Sequence, residues 1–213
     1  MKTTLRYLLP VLLLCGLCSP VLAETAREQL DRFSDGLETL HARFEQVVVS
    51  SDGKVQDSSG GEVWLRSPDR FRWSYGGDFP ELVVSDGKNI WIYDEMLEQV
   101  TVKDHSEAGV NSPLSVLSAP ERLDEAFEVR EVGATADAQL LELRSRSMET
   151  QFERFLLGMK EGAPSMIIME DAFGLRTEIR FSGLERNIPI DDGLFEFTPP
   201  PGVDVIGALP GGG

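Results

Sequence analysis

The sequence predicts a mainly β protein with few helices, arranged as one antiparallel sheet with helices laid on one face. Three observations lead there. Beyond residue 47 the apolar pattern breaks into short β-branched and aromatic runs, about eleven of them, separated by turn signals. Before residue 47 stands a single apolar stripe at helical spacing. No internal repeat and no long linker divides the 213 residues into two domains.

The helical stripe comes first. Thr25 and Glu28 have the Thr-x-x-Glu spacing of a capping box. Leu30, Phe33, Leu37, Leu40, Phe44 and Val47 follow at steps of three and four, with Glu28, Asp31, Arg32, Asp35 and Glu38 opposite them. One amphipathic helix is expected, giving way to a strand near Phe44, because Val47, Val48 and Val49 are β-branched. Strand-like runs then cover residues 61–66, 70–75, 82–85, 89–93 and 97–102. The Asp86-Gly87 pair between two of them is a strong hairpin signal. Asn111-Ser112-Pro113 caps a short helix over residues 114–119, and Ala119-Pro120 ends it. Residues 121–127 read as a further turn or two of helix. Strands resume at 128–132, 140–144, 152–157, 165–169, 175–181 and 195–197, with connections short enough for antiparallel neighbours. Residues 206–213 are expected to form a flexible tail.

The first 23 residues read as a cleaved secretory signal. Lys2 and Arg6 give the positive start, Leu8 to Leu17 the apolar stretch, and Val21-Leu22-Ala23 the small residues before the cut. The apolar run is too short to span a bilayer, and Pro10 and Pro20 interrupt it. Cys15 and Cys18 follow leucines rather than small residues, so neither is expected to become an acylated N-terminus. Both leave with the signal. The chain from Glu24 onward then has no cysteine, and its stability must come from a core rather than from disulfides.

Charge and residue inventory narrow the function. Lys and Arg total 20, Asp and Glu 36, and the formal net charge is −16. That excess disfavours nucleic acid and anionic lipid surfaces. The two histidines, His41 at the surface or rim of the amphipathic helix and His105 in a charged loop, have no metal-ligand spacing to one another. Asp191-Asp192-Gly193 lacks the alternating ligands of a calcium loop and reads as a turn. No phosphate-cradling glycine loop or nucleophile elbow occurs. The expected catalytic set is empty, as are the expected metal and cofactor.

The apolar pattern is richer. Val63 and Leu65 share one strand face, with Trp64 and Arg66 on the other, and the aromatics of Phe71-Arg72-Trp73-Ser74-Tyr75 share one face. Leu82-Val83-Val84 and Ile90-Trp91-Ile92-Tyr93 are apolar on both faces. Part of the sheet must therefore be covered on both sides, or line a cavity. Periodicity alone leaves both open.

The runs Gly61-Glu62-Val63-Trp64-Leu65-Arg66-Ser67-Pro68-Asp69-Arg70-Phe71-Arg72-Trp73 and Val84-Ser85-Asp86-Gly87-Lys88-Asn89-Ile90-Trp91-Ile92-Tyr93-Asp94 resemble the periplasmic outer-membrane lipoprotein carrier family, LolA. So do Phe44-Glu45-Gln46, Gln99-Val100 and the closing run from Phe195 to Val205. The set is in the family's order over residues 40–205. The resemblance implies an incomplete antiparallel β-barrel of about eleven strands, with helices forming a lid over an apolar cavity, in a domain spanning residues 24–205. It implies a monomeric periplasmic carrier without cofactor. Its cargo would be acylated lipoproteins, taken from an inner-membrane releasing transporter of the ABC type and passed to an outer-membrane receptor. Leu30, Phe33, Leu37, Leu40 and Phe44 would line the cavity with Val63, Leu65, Phe71, Trp73, Ile90 and Ile92, and Leu114 and Leu117 would face it from the lid. Phe71 and Trp73 match the family's aromatic strand near the entrance.

One position departs from the family. Many members carry an arginine directly before the proline that follows the Trp-x-x-x segment, and it is thought to hold the lid. Here that residue is Ser67. The latch would fall to Arg66, Arg70 or Arg72. Two other readings remain: a lipid-sensing or lipoprotein-receptor domain on the same half-barrel, and a periplasmic hydrolase.

Overall fold

The structure is a computed structural model and describes residues 24–105, 123–146, 152 and 154–207. The expected signal at 1–23 and the expected lid helix at 114–119, with Leu114 and Leu117, lie outside the described residues. So does the end of the tail, residues 208–213.

The chain opens as its capping box dictates. Helix α1 is Ala26–Ser34. The Thr25 hydroxyl accepts from the Glu28 N–H, and the Glu28 carboxylate accepts from the Thr25 N–H at 2.9 Å, which satisfies two free donors of the first turn. The helix ends well before the expected strand start near Phe44. Asp35 is extended and Gly36 takes a left-handed φ of +63°, which breaks the helical ladder. Asn187 then pins the turn: its side-chain carbonyl accepts from the Glu38 N–H at 2.9 Å, and its amide donates to Gly36 O. Strand β1, Thr39–Val49, follows at once. Leu40, Phe44 and His41 therefore lie on a strand, not on the helix, and Leu37 sits in the connection.

The rest is sheet. Strands β2 (Val55–Arg66), β3 (Arg70–Gly76), β4 (Glu81–Asp86), β5 (Asn89–Asp94) and β6 (Gln99–Asp104) meander away from β1. A short helix α2, Leu123–Ala126, precedes β7 (Phe127–Ala134) and β8 (Gln139–Ser145). Then come β9 (Arg154–Lys160), β10 (Ala163–Glu170), β11 (Arg176–Arg186) and β12 (Asp204–Ile206). All twelve form one unclosed sheet in the order β12-β6-β5-β4-β3-β2-β1-β11-β10-β9-β8-β7. Every pairing is antiparallel except β12, which lies parallel to β6. β1 is the seam, flanked by β2 and by β11 from far along the chain.

Two expectations about the C-terminus change. Residues 195–197 form no strand. Asp192–Phe195 is a 3₁₀ turn capped by the extended Glu196, and Phe197 follows it outside any strand. The edge strand β12 lies further on, in a segment the sequence reading gave to no strand.

Both faces of the β4–β6 region are covered, which decides between the two outcomes that its doubly apolar pattern allows. Val84, Trp91, Val100 and Val102 form an outer cluster, with Leu82, Tyr93, Phe197 and Val203 packed on it. The lid of that cluster is the C-terminal segment. The inner cluster is far larger and includes α1.

Candidate functional site

Strand register decides what reaches the inner face. Leu40, Leu65 and Phe71 are cross-strand neighbours on β1, β2 and β3. The next row is Ala42, Val63, Trp73, Val83 and Ile92, continuing onto β4 and β5. The row after that is Phe44, Gly61 and Tyr75. On the other side of the seam Phe181 pairs with Phe44, and Ile179 with Gln46. The inward rows of β10, β9 and β8 follow through Ile167, Leu157 and Leu141.

These rows and α1 make one apolar cluster. Leu30, Phe33, Leu37, Leu40, Phe44, Val63, Leu65, Phe71, Trp73 and Ile90 are all buried in it, and Ile92 packs against it half-buried. The second half of the sheet contributes residues beyond those expected from the sequence: Leu141, Leu143, Phe155, Leu157, Met159, Ile167, Met169 and Ile179 belong to the same cluster. The alternation in those strands was available as a signal.

The aromatic end of the cluster has a specific cause. Phe44 and Tyr75 are two strands apart, yet their rings meet edge-on at 4.9 Å. Gly61 stands between them and leaves the space. A Cβ there would lie 1.9 Å from the Ser74 carbonyl oxygen, so the close approach of β2 and β3 itself requires glycine. Trp73 contacts Phe44 edge-on at 4.7 Å and Phe181 at 6.2 Å.

Beyond that aromatic row the inner face turns polar. Gln46, Ser59 and Glu81 take the next positions, and here a cleft of about 720 Å³ opens, lined by Gln46, residues 57–60, residues 75–79 and Glu81. Tyr75 donates from its hydroxyl to Gln46 Oε1 at 3.3 Å. Burial and the nearby Glu81 charge push the Tyr75 phenol up to about 12. Burial, helped by Asp94 opposite, also raises the Glu81 carboxyl above its ordinary range. The cleft thus joins half-buried aromatic rings to an acidic rim.

Alternation sends Arg66, Arg70 and Arg72 to the outer face, away from Leu65, Phe71 and Trp73. Their described contacts go to the C-terminal segment. Arg66 donates from Nη2 to Ile190 O at 2.5 Å, and Arg72 donates to Leu194 O at 3.2 Å. Arg66 and Arg70 reach Asp192 Oδ1 at 3.1 and 3.5 Å and flank the Phe195 ring. The expected lid helix at 114–119, which the expected latch needs, lies outside the described residues.

His41 is stacked on Trp64 at 5.3 Å on the outer face, with Glu185 3.1 Å from Nδ1. Among the described residues no three His, Cys, Asp or Glu side chains gather in a way that could hold a metal ion.

Comparison with known proteins agrees with this fold. The sequence model of one family, described as outer membrane lipoprotein carrier protein LolA, matches residues 35–198. An outer-membrane lipoprotein carrier protein of Alkalilimnicola ehrlichii is 40% identical over 199 residues, covering 91% of this chain and 89% of its own. A protein of the same description from Xanthomonas campestris is 41% identical over 185 residues, covering 85% and 88%. Among solved structures, an uncharacterized conserved protein from Thermus thermophilus superposes with a TM-score of 0.53 at 14% identity, covering 85% of this chain and 98% of that one. That likeness speaks to the fold alone.

Proposed function

The chain belongs to the outer-membrane lipoprotein carrier family, LolA, and from that membership we propose that it is a periplasmic carrier of acylated lipoproteins. It is exported through the signal at residues 1–23 and works from Glu24 onward as a monomer, without catalysis. It receives its cargo from a lipoprotein-releasing ABC transporter of the inner membrane and delivers it to a receptor at the outer membrane. Acyl chains bind against the inner apolar face, on which α1 packs.

The observation that carries this reading is the inner face itself. An unclosed sheet presents one continuous apolar cluster from both halves, and that cluster ends in half-buried aromatics at an open cleft. The energetics suit a shuttle. One acyl chain of about 15 methylenes gains about 12 kcal/mol if wholly removed from water, at roughly 0.8 kcal/mol each. Three chains so buried pass the practical limit of about 20 kcal/mol for non-covalent affinity. A carrier that must release cargo therefore holds its chains only in part, and the work of parting its own core lowers the net affinity further.

Co-expression with one acylated protein, followed by native mass spectrometry of the periplasmic fraction, tests the proposal. The expected species is a one-to-one complex of the unlipidated chain from Glu24 with its cargo. It should vanish when the cargo's acylated cysteine is replaced by serine. A complex indifferent to acylation, or no complex, overturns the carrier reading.

A further inference from the structure

The cleft at the end of the inner face has a chemistry that the apolar cluster does not share. Its walls carry three carboxylates, Asp57, Asp78 and Glu81, and neither Lys nor Arg. Among the described residues none of the three has an ion-pair partner. Glu81 instead faces another acid, Asp94, directly across β4 and β5. Charges in a half-sheltered cleft are screened less than on open surface, so their field is focused there. The inner wall is the Tyr75 ring, which touches Phe44 of the apolar cluster, and the outer rim carries Phe79, 74% exposed.

We propose that this cleft seats the polar head of the acylated ligand, and that it favours cationic or hydrogen-bond-donating heads over anionic ones. The proposal rests on the carrier reading and adds to it a rule for the part of the ligand outside the apolar face. The geometry makes the two parts continuous. The Tyr75 ring belongs to both: it meets Phe44 of the apolar cluster edge-on at 4.9 Å and it lines the cleft, where the lining changes from apolar to acidic. Carboxylates and the Ser58 and Ser59 hydroxyls accept hydrogen bonds from hydroxyl, amide or ammonium donors. The rings of Tyr75 and Phe79 add cation–π attraction for a quaternary or primary ammonium. A sulfate or carboxylate head meets uncompensated negative charge instead. For a lipoprotein, the head is the stretch of polypeptide just beyond the acylated residue. Neutral or basic residues there suit the cleft, and acidic ones are disfavoured.

The test uses the protein from Glu24 onward and three amphiphiles with the same tetradecyl chain, carrying trimethylammonium, maltoside or sulfate heads. Each is titrated below its micelle concentration at low salt, with far-ultraviolet circular dichroism confirming the fold. The trimethylammonium compound should bind about tenfold more tightly than the sulfate, with the maltoside between. The triple variant Asp57→Asn, Asp78→Asn, Glu81→Gln should bring the three to within about twofold. Overall charge alone also attracts cations, so a second triple variant removes three exposed acids elsewhere: Glu38→Gln, Glu125→Gln, Glu161→Gln. It has the same net charge and should keep the preference. Equal binding of all three heads by the unaltered protein overturns the proposal, as does an equal loss of preference in the two triple variants. If none of the three amphiphiles binds, the acyl-carrier reading falls with it.

Discussion

Phe71→Glu separates two roles that the family resemblance and the structure assign differently. The resemblance makes Phe71 an entrance aromatic, where a carboxylate stays hydrated and the fold survives. The structure leaves the ring only 7% exposed, between Leu65 on β2 and Ser85 on β4, within the inner cluster. Deleting a buried phenyl ring costs about 3–5 kcal/mol from transfer and cavity together. An unpaired buried carboxylate adds its own desolvation cost, so the total is at least about 4 kcal/mol. For a domain of this size, each kcal/mol lowers Tm by about 2–4 °C, which puts the expected drop at about 8–16 °C or more. Thermal melting at pH 7 measures it. The sign with pH is also fixed. The new carboxyl has a folded-state pKa above its unfolded value, so its own penalty is absent below about pH 4 and grows as pH rises through the folded value. Phe71→Gln carries the cavity cost without that pH dependence. A Phe71→Glu melt within about 2 °C of the unaltered protein at pH 7 would refute the burial argument and return Phe71 to the entrance.

Two further outcomes follow from the same face. Gly61→Ala should destabilise by about 1–3 kcal/mol, because its Cβ meets the Ser74 carbonyl and cannot be relieved without moving β3, whereas Gly76→Ala, with its nearest neighbour at 3.9 Å, should cost less; equal calorimetric Tm values for the two would contradict this. Glu81→Gln should raise Tm at pH 7, since the raised folded-state pKa of Glu81 makes its charge a liability that develops as pH climbs from about 4.5 through that value. The gain should fade toward pH 4, and a gain that persists or grows there would show that charge is not its source.

The sheet was legible where its signals are local. Asp86-Gly87 makes the expected turn because the Asp86 carboxylate accepts from the Lys88 and Asn89 N–H groups while Gly87 takes φ +90°. The doubly apolar β4 and β5 left open whether their second face is covered or lines a cavity, and the structure covers it. Phe197 and Val203 supply the cover from about 100 residues away, and no local pattern announces such a partner. The overlong helix has a different origin. Leu37, Leu40 and Phe44 fit steps of three and four, yet Leu40, Ala42, Phe44 and Gln46 fit a step of two equally well, and the left-handed Gly36 decides between them. Hydropathy patterning does not mark the cleft, because its lining is largely polar. Its trace was the appearance of Gln46 and Ser59 on the inward parity of β1 and β2, next to Gly60-Gly61.

The two faces of the sheet constrain where movement can occur if the chain carries cargo. The outer face of β2–β6 is occupied by the C-terminal segment, with Phe195 1% exposed and three arginines bonded or paired around it. Freeing that face would expose Phe195 and the outer cluster without reaching the inner one. On the inner face, α1 is tied to the far half of the sheet. The Glu131 carboxylate accepts from the Arg27 N–H at its N-terminus, and the Gln29 side chain accepts from the Gly162 N–H, each at 2.9 Å. Each such bond contributes about 1 kcal/mol, while Leu30 and Phe33, both buried, contribute about 1.5–3 kcal/mol apiece. Lifting α1 whole is therefore costly. At its other end the inner cluster borders the open cleft, and there Tyr75, Phe181, Val83 and Ile92 are only half-buried. On the proposed carrier reading, an acyl chain that enters at the cleft meets the aromatic row before it meets the helix.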